Sequence, residues 1–423
     1  MTSQTLSEDL AWRGLIKDRT FSDVTWLDTP RTFYLGMDCN SSDSLTIGNL
    51  AVLMLARRLV EAGWKAVLLV GGATSLIGDP GGKNEERPLK TREEIAHNVA
   101  GIKAQVERLF SGQEFTLVDN YDWFKDIGYL EFLRDVGKHF SMTELVQRDF
   151  IATRMGADGG GISYAEFSYN LIQGYDYWWL FKNHGVELQI GGSDQWGNML
   201  SGAPLIRKKE GKEVHVFSTP LVVNKATGVK FGKSEAGAVW LDAARTSPTQ
   251  LYQFWINVDD DSVVDYLKIY TLLSASEIDE IATQHVAAPA ERVAQTRLAQ
   301  AVTELVHGAA AMQLAEAVTG YLIGKRPLAE ASEAEATEIS NNIPSIKLSA
   351  DAAFVGESLV DALVATNLAP SKTEARRLVT GNAISVNGQK VTRPAFEQAD
   401  FINGRLLLRR GKAFKDSALV ILG

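Results

Sequence analysis

Two glycines, an acid and an amide stand where an apolar run stops. Val186 to Ile190 is followed by Gly191-Gly192-Ser193-Asp194-Gln195-Trp196-Gly197-Asn198. If that run is a buried strand, the segment falls where open α/β sheets take their ligands, just beyond the carboxyl ends of strands. Asp194 and Gln195 then offer acceptors and donors to a polar ligand, while the glycines let backbone come close. A second group lies upstream. Tyr169, Gln173 and Asp176 are spaced i, i+4, i+7, which puts them within about 60° of one another on a helix. With Phe167, Leu171, Tyr177, Trp178 and Trp179 around them, they form either a surface stripe or the lining of a pocket for a polar, partly aromatic ligand.

Three further segments suit an anion. Tyr34-Leu-Gly36-Met-Asp38 ends a candidate strand, and a polar turn leads to Thr46-Ile-Gly48-Asn49 at a helix start. The first amides of a helix are unpaired and lie at the positive end of its dipole, so a phosphate is welcome there. Gly71-Gly72 to Gly81-Gly82-Lys83, with Arg87 beyond, reads as a glycine-rich loop with charged residues for a ligand's phosphates. It lacks the Gly-Lys-Ser/Thr ending of a P-loop, which excludes that assignment. Lys230-Phe-Gly-Lys233-Ser234 places two cations three residues apart between Gly228 and Gly237, a spacing that can bracket a pyrophosphate. Taken singly, each of these is equally a solvated turn.

The elements that must hold these residues follow from periodicity. Thr32 to Met37 reads as a strand, Thr46 to Ala62 as a helix and Ala66 to Val70 as a second strand, which is a βαβ unit and hence a parallel sheet. Thr91 and Glu94 form a capping box ahead of an apolar stripe from Ile95 to Leu109. Phe115 to Val118 and Val186 to Ile190 add strands, and Tyr164 to Lys182 is a helix. Ser247-Pro248 to about Gly324 is helical, and 326–342, poor in apolar residues, reads as linker or weak helix. In the last 68 residues, Leu359 to Thr366 and Lys372 to Thr380 are helices. Ile384 to Val386 is a strand entering an Asn387-Gly388 hairpin. The expected divisions are a Rossmann-like α/β domain over 1–220 with a doubly wound parallel sheet, and a helical region over 221–325. A linker over 326–355 and a small α+β module over 356–423 complete it.

Composition bounds the rest. No run of 18 apolar residues exists, and the N-terminus lacks a basic stretch followed by an apolar one, so neither a membrane span nor a standard secretory signal is expected. The single cysteine, Cys39, excludes an intrachain disulfide and a cysteine-based zinc cage, and fits the cytoplasm. Net charge is −9, yet residues 356–423 hold ten Lys or Arg against six acids, a surplus of four that leaves −13 on the other 355. A basic tail on an acidic body suits a polyanion partner bound locally.

In this order, these blocks resemble bacterial tyrosyl-tRNA synthetases, class I aminoacyl-tRNA synthetases, over essentially the whole chain. Asn120-Tyr-Asp-Trp123, Phe132 to Phe140, Glu166 to Asp176 and Gly191 to Asn198 carry the likeness. Lys230 to Ser234 matches the family's Lys-Met-Ser-Lys-Ser signature in its tyrosyl form. The resemblance implies that Tyr34 and Asp176 hold a phenol hydroxyl, that Tyr169, Gln173 and Asp79 hold the ammonium, and that Gln195 holds the carboxyl end. It implies nucleotide contacts from Asp38, Asp194, Gly36, Gly48 and Gly192, and phosphate contacts from Thr46, Asn49, Lys83, Arg87, Lys230 and Lys233. Arg376, Arg377, Lys390 and Arg409 are expected on tRNA phosphates, in an αL-type RNA-binding module. The implied substrates are L-tyrosine, ATP with Mg²⁺ and tRNA(Tyr), with no tightly held metal. A homodimer interface is expected over 129–145.

One departure stands out. The family's His-Ile-Gly-His pattern reads Thr46-Ile47-Gly48-Asn49, and the preceding turn is one residue longer, with Cys39-Asn40 for the usual Pro-Thr. Asn40, Ser41 or Thr46 is expected to compensate at the γ-phosphate. The competing reading is a slow or inactive synthetase relative kept as an RNA-binding protein.

Overall fold

A computed structural model of the chain describes residues 4–79, 88–147, 149–156, 160–224, 231–234, 237–411 and 416–423. The chain forms two compact units, one of Met1–Asp242 with Asp259–Ala294, the other of Ala243–Val258 with Gln295–Gly423.

The first unit is built on five parallel strands: β1 (Thr32–Met37), β2 (Lys65–Val70), β3 (Phe115–Asp119), β4 (Val186–Gly192) and β5 (His215–Thr219). Their order is β3-β2-β1-β4-β5. Parallel strands covered on both faces need apolar residues at successive positions. Phe33, Tyr34 and Leu35 in β1 and Ala66 to Val70 in β2 supply them, all buried. Chain order reverses between β1 and β4, which opens a crevice at their carboxyl ends.

Three helices frame that crevice. Ile47–Glu61 follows β1, and Gly72–Ile77 follows β2. The second of these replaces part of the glycine-rich loop read from the sequence: Gly71 and Gly72 are enforced by packing, since a Cβ on either would strike Thr74 or Asp119. The third helix, Tyr164–His184, starts at a Ser163/Glu166 capping box and stops at Gly185 in the left-handed region, φ 65°. A buried Arg154–Glu166 ion pair at 2.9 Å braces its first turn.

A pair of guanidinium groups fixes the helix Val263–Tyr270 in the same unit. Arg58 donates to the carbonyls of Lys268 (2.8 Å), Ile269 (3.1 Å) and Thr271, and Arg13 to those of Lys268 (3.0 Å) and Leu273 (2.6 Å). These are the orphan acceptors of a helix C-terminus, where cations also suit the dipole. Burial and the neighbouring Arg13 push the Arg58 guanidinium down to about 9. Replacing Arg58 with Met strands those carbonyls, with an expected loss of about 3 kcal/mol in urea unfolding followed by tryptophan fluorescence.

The second unit joins helices to a mixed sheet. Pro248–Ile256, Ala309–Leu322 and Glu333–Asn342 pack together, with Thr249 Oγ1 donating to Glu338 at 2.7 Å. The sheet runs Gln389–Lys390, Ser385–Val386, Arg405–Arg409, Ser417–Leu422 and Ser345–Leu348, in that order. Its hairpin turns at Asn387 (φ 47°) and Gly388 (φ 84°), the type I′ geometry that Asn-Gly favours.

One face of this sheet buries Leu406, Leu408, Ala418 and Val420 against helices Ser358–Ala365 and Lys372–Thr380. The other buries Leu407 and Leu419 against Val318, Tyr321, Leu322, Ile339 and Ile343. Residues 356–423 thus pack in one unit with the helices Ala309–Leu322 and Glu333–Asn342. The stretch 326–355 takes the helical alternative to a linker: it holds a Ser332/Glu335-capped helix with Ala336 and Ile339 buried, and an edge strand.

Candidate active site

The crevice between β1 and β4 deepens into a cavity of about 260 Å³. The ends of β1 and β4, the N-terminus of the helix Ile47–Glu61 and one face of the helix Tyr164–His184 line it. The stripe Tyr169, Gln173 and Asp176 faces this cavity, as do Tyr34, Gly36, Asp38, Thr46, Gly48, Asn49, Asp79, Gly192, Asp194 and Gln195. Residues up to 197 positions apart in sequence, Tyr34 and Phe231, thus line one cavity.

Its floor is buried and polar. Asp176 is 2% exposed, and its carboxylate accepts from Trp123 Nε1 at 2.9 Å and Asn120 Nδ2 at 3.1 Å. Burial nonetheless pushes this carboxyl up to about 8, outweighing the two donated bonds that favour its ionised form. Tyr34 is also buried, and its hydroxyl has no hydrogen-bond partner among the described residues. Burial first, then the nearby Asp176 charge, raises the Tyr34 hydroxyl well above its usual range. A buried hydroxyl left unmatched is unusual in a native core. The Tyr34 hydroxyl and the Asp176 carboxyl thus line one cavity, close enough for the charge of one to act on the other.

Nearer the opening, Asp79 accepts from Gln195 Nε2 at 2.7 Å and Asn198 Nδ2 at 3.1 Å, and Asn198 also donates to Gln195 Oε1. This carboxylate with its amides suits a cation brought by a ligand. Asp38 accepts from the Asn40 amide (3.0 Å) and from Ser75 Oγ (2.9 Å), which fixes its carboxylate at the cavity edge.

At the start of the helix Ile47–Glu61, Ile47 N–H donates to Val239 O at 3.1 Å. The Gly48 amide has no partner among the described residues, while the Asn49 amide meets the Thr46 side chain in a capping box. Gly232, at φ 107°, lies against this helix start, where a Cβ would meet Ile47 Cγ1 at 3.2 Å. Phe231 beside it stacks on Tyr266, centroids 4.3 Å apart. Phe231 and Gly232 are thereby held against the helix start that carries the Gly48 amide.

Four expected residues lie elsewhere or go undescribed. Lys83, Arg87 and Lys230 are outside the described residues, and Lys233 is placed only by its backbone in the short strand Lys233–Ser234. Arg409 does not fit a surface role: it is 8% exposed. It alternates with Leu407 along one strand, so it shares the inward face. Arg376 and Arg377 are exposed but paired with Glu357 and Glu374. Lys390 lies on the surface, its ammonium donating to Ala383 O at 3.2 Å. Asn40 is buried, its side-chain amide donates to Ser75 O at 2.8 Å, and it is not among the residues lining the cavity.

Four side chains of the site were not singled out from the sequence. Asn120 and Trp123 hold Asp176, Asn198 holds Asp79, and Gln189 lines the cavity at 3% exposure with its Oε1 unpartnered. Gln189 had a readable signal, a lone amide inside the apolar run Val186 to Ile190. The two glycines after it serve packing as well as access: a Cβ on Gly191 would stand 2.7 Å from Met199 Sδ.

Comparison with known proteins agrees with this geometry. Residues 28–322 match the family model "tRNA synthetases class I (W and Y)", and 335–415 match "Tyrosine--tRNA ligase SYY-like C-terminal domain". The chain is 40% identical over 414 residues to tyrosine–tRNA ligase 1 of Enterococcus faecalis, covering 96% of this chain and 97% of that one. It is 42% identical over 422 residues to the tyrosine–tRNA ligase of Roseiflexus castenholzii, with the same coverage. Among solved structures, a C-terminally truncated mitochondrial tyrosyl-tRNA synthetase of Aspergillus nidulans superposes with a TM-score of 0.66 at 31% identity. That match covers 74% of this chain and 93% of the fungal one. A tryptophanyl-tRNA synthetase of Encephalitozoon cuniculi, at 14% identity and TM-score 0.53, shares the fold. With a buried tyrosine hydroxyl and a buried carboxyl lining one cavity, and relatives of one kind along nearly its full length, the chain belongs to the tyrosyl-tRNA synthetases of class I.

Proposed function

We propose that the cavity binds L-tyrosine beside MgATP and joins them before charging tRNA(Tyr). The observation that carries this reading is the unmatched Tyr34 hydroxyl next to buried Asp176. A phenol placed between them accepts from Tyr34 and donates to the Asp176 carboxylate, which satisfies all three groups. Phenylalanine in the same place would leave the buried Tyr34 hydroxyl unpaired and the Asp176 carboxylate one donor short. Sites built to bond a substrate hydroxyl reject the analogue lacking it by 10⁴–10⁵, and this enzyme family is itself the reference case for that figure.

The ammonium falls to Tyr169, Gln173 and Asp79, and the carboxyl end to Gln195. A tyrosine carboxylate oxygen then attacks the α-phosphorus, the bond to the bridging oxygen breaks, and pyrophosphate leaves with the electron pair. Asp194 takes the ribose, Asp38 the adenylate, and Gly36, Gly48 and Gly192 let the nucleotide approach the backbone. Asn49 donates to the nucleotide with Thr46 beside it, and Lys83, Arg87, Lys230 and Lys233 are the cations at the phosphates. Such a transfer depends on alignment and charge stabilisation more than on a general base. In the second step a hydroxyl of the tRNA's terminal adenosine attacks the acyl carbon and AMP departs. Magnesium enters with ATP, as part of the substrate.

Arg376, Arg377 and Lys390 are the proposed tRNA contacts. A homodimer is supported by apolar exposure at Tyr129 (63%), Leu130 (77%) and Tyr164 (62%), more than an isolated chain needs. Among the described residues no helix is long and apolar enough to cross a membrane.

Tyrosine-dependent ATP–pyrophosphate exchange tests the reading. Exchange with tyrosine and not with phenylalanine or tryptophan is expected; exchange absent, or better with tryptophan, contradicts it. The raised Asp176 carboxyl adds a pH dependence. A phenol that donates to the carboxylate binds the deprotonated form, so tyrosine affinity should rise about tenfold per unit from pH 6 and level off near 8. Equilibrium dialysis measures this, and a profile flat between pH 6 and 8 would refute the link. For stability the sign is opposite. Between about 4 and 8 the folded chain holds the extra proton, so this group's contribution is full below the unfolded value and lost as pH rises through 8.

A further inference from the structure

The helix start Thr46-Ile47-Gly48-Asn49 contains an internal lock. Asn49 Oδ1 lies 2.9 Å from Thr46 N and 2.8 Å from Thr46 Oγ1. A backbone N–H can only donate, so the Asn49 atom it meets is the oxygen; the amide orientation follows from chemistry, not from assignment. With that oxygen as acceptor, the Thr46 hydroxyl is also a donor to it. The Thr46 proton is therefore committed and cannot be given to a phosphate at the same time. The Asn49 NH₂ has no partner among the described residues, and both side chains line the cavity.

We infer that Thr46 is a positioning residue: its hydroxyl and amide hold Asn49 so that the NH₂ donates to the nucleotide in the cavity. This replaces the expectation of Thr46 as a γ-phosphate ligand and rests on the tyrosine-activating reading above. Without the hydroxyl, the Asn49 amide keeps one tether, the backbone N–H. It can then rotate about its last torsion, a broad well for Asn, and present its oxygen to a phosphate that repels it. A donor lost from alignment by about 1 Å costs on the order of 100-fold in rate.

The test is tyrosine-dependent ATP–pyrophosphate exchange on the full chain, with tyrosine affinity and melting temperature measured alongside. Thr46→Val should slow exchange by about 10- to 100-fold with tyrosine affinity unchanged, and Thr46→Ser should recover most of the loss. Asn49→Ala should be at least as slow as Thr46→Val. The double variant should be within about twofold of Asn49→Ala, because the hydroxyl acts only through the amide. Effects of the two substitutions that multiply would overturn the inference and make Thr46 an independent ligand. So would a Thr46→Val chain that exchanges at the full rate. If Thr46→Val does not fold, Thr46→Ala alone and with Asn49→Ala makes the same comparison. No exchange by the unsubstituted chain overturns the activation reading and this inference together; loss of non-additivity alone overturns only the inference.

Discussion

Asp176→Asn is expected to lower kcat/KM for tyrosine in the exchange reaction by on the order of 10²–10³, with KM for ATP little changed. The carboxylate has three calls on it: Trp123 Nε1, Asn120 Nδ2 and, in the proposed complex, the phenol. An ionised carboxylate accepts from all three, being acceptor on both oxygens. Asparagine keeps the shape but turns one oxygen into an NH₂, so a donor faces a donor wherever it points. One or two buried bonds at about 1–3 kcal/mol each account for the predicted range. Asn120 also accepts from Ala73 N at 2.7 Å and donates to Thr74 Oγ1 at 3.2 Å, so it has no freedom to turn its amide in response. Steady-state kinetics with tyrosine and ATP varied separately checks this. A loss confined to ATP would place Asp176 outside the amino-acid pocket.

The second large effect concerns the C-terminal unit. Removing residues 335–423 should leave pyrophosphate exchange within about a factor of two, because all the side chains lining the cavity belong to the other unit. Charging of tRNA should fall at least about 100-fold through lost phosphate contacts. The cut has a structural cost. Val318, Tyr321 and Leu322 lose the cover of Leu407, Leu419, Ile339 and Ile343, so the shortened chain should be less soluble. Leu407→Ala in the full chain isolates that seam: an expected loss of about 2–4 kcal/mol in the second unit, with exchange retained. Charging by the truncated chain at the full rate would remove tRNA binding from residues 335–423.

The parallel sheet was readable where apolar runs are unbroken, as in β1, whose residues Thr32 to Met37 need no partner to declare themselves. β5 was not, because His215-Val-Phe-Ser-Thr219 carries three polar residues. Two of them are matched only in the fold, Ser218 Oγ donating to Asp18 at 2.8 Å and His215 contacting Thr20. The same limit explains Arg409. Three leucines in Leu406 to Leu408 signal a strand covered on both faces, yet which helices cover the second face is a tertiary fact. Within the site, Tyr169, Gln173 and Asp176 share a face by helical spacing alone. That Asn120 and Trp123 hold Asp176 depends on β3 ending beside that helix, more than 50 residues away in sequence.

Crystallising the chain with tyrosine, or with a non-hydrolysable tyrosyl-adenylate analogue, tests the central claim most directly. The account predicts a phenol oxygen within hydrogen-bond reach of both Tyr34 Oη and the Asp176 carboxylate, and an Asn49 NH₂ turned toward the nucleotide. A ring bound elsewhere, or a phenol oxygen in solvent with Tyr34 still unmatched, would contradict it.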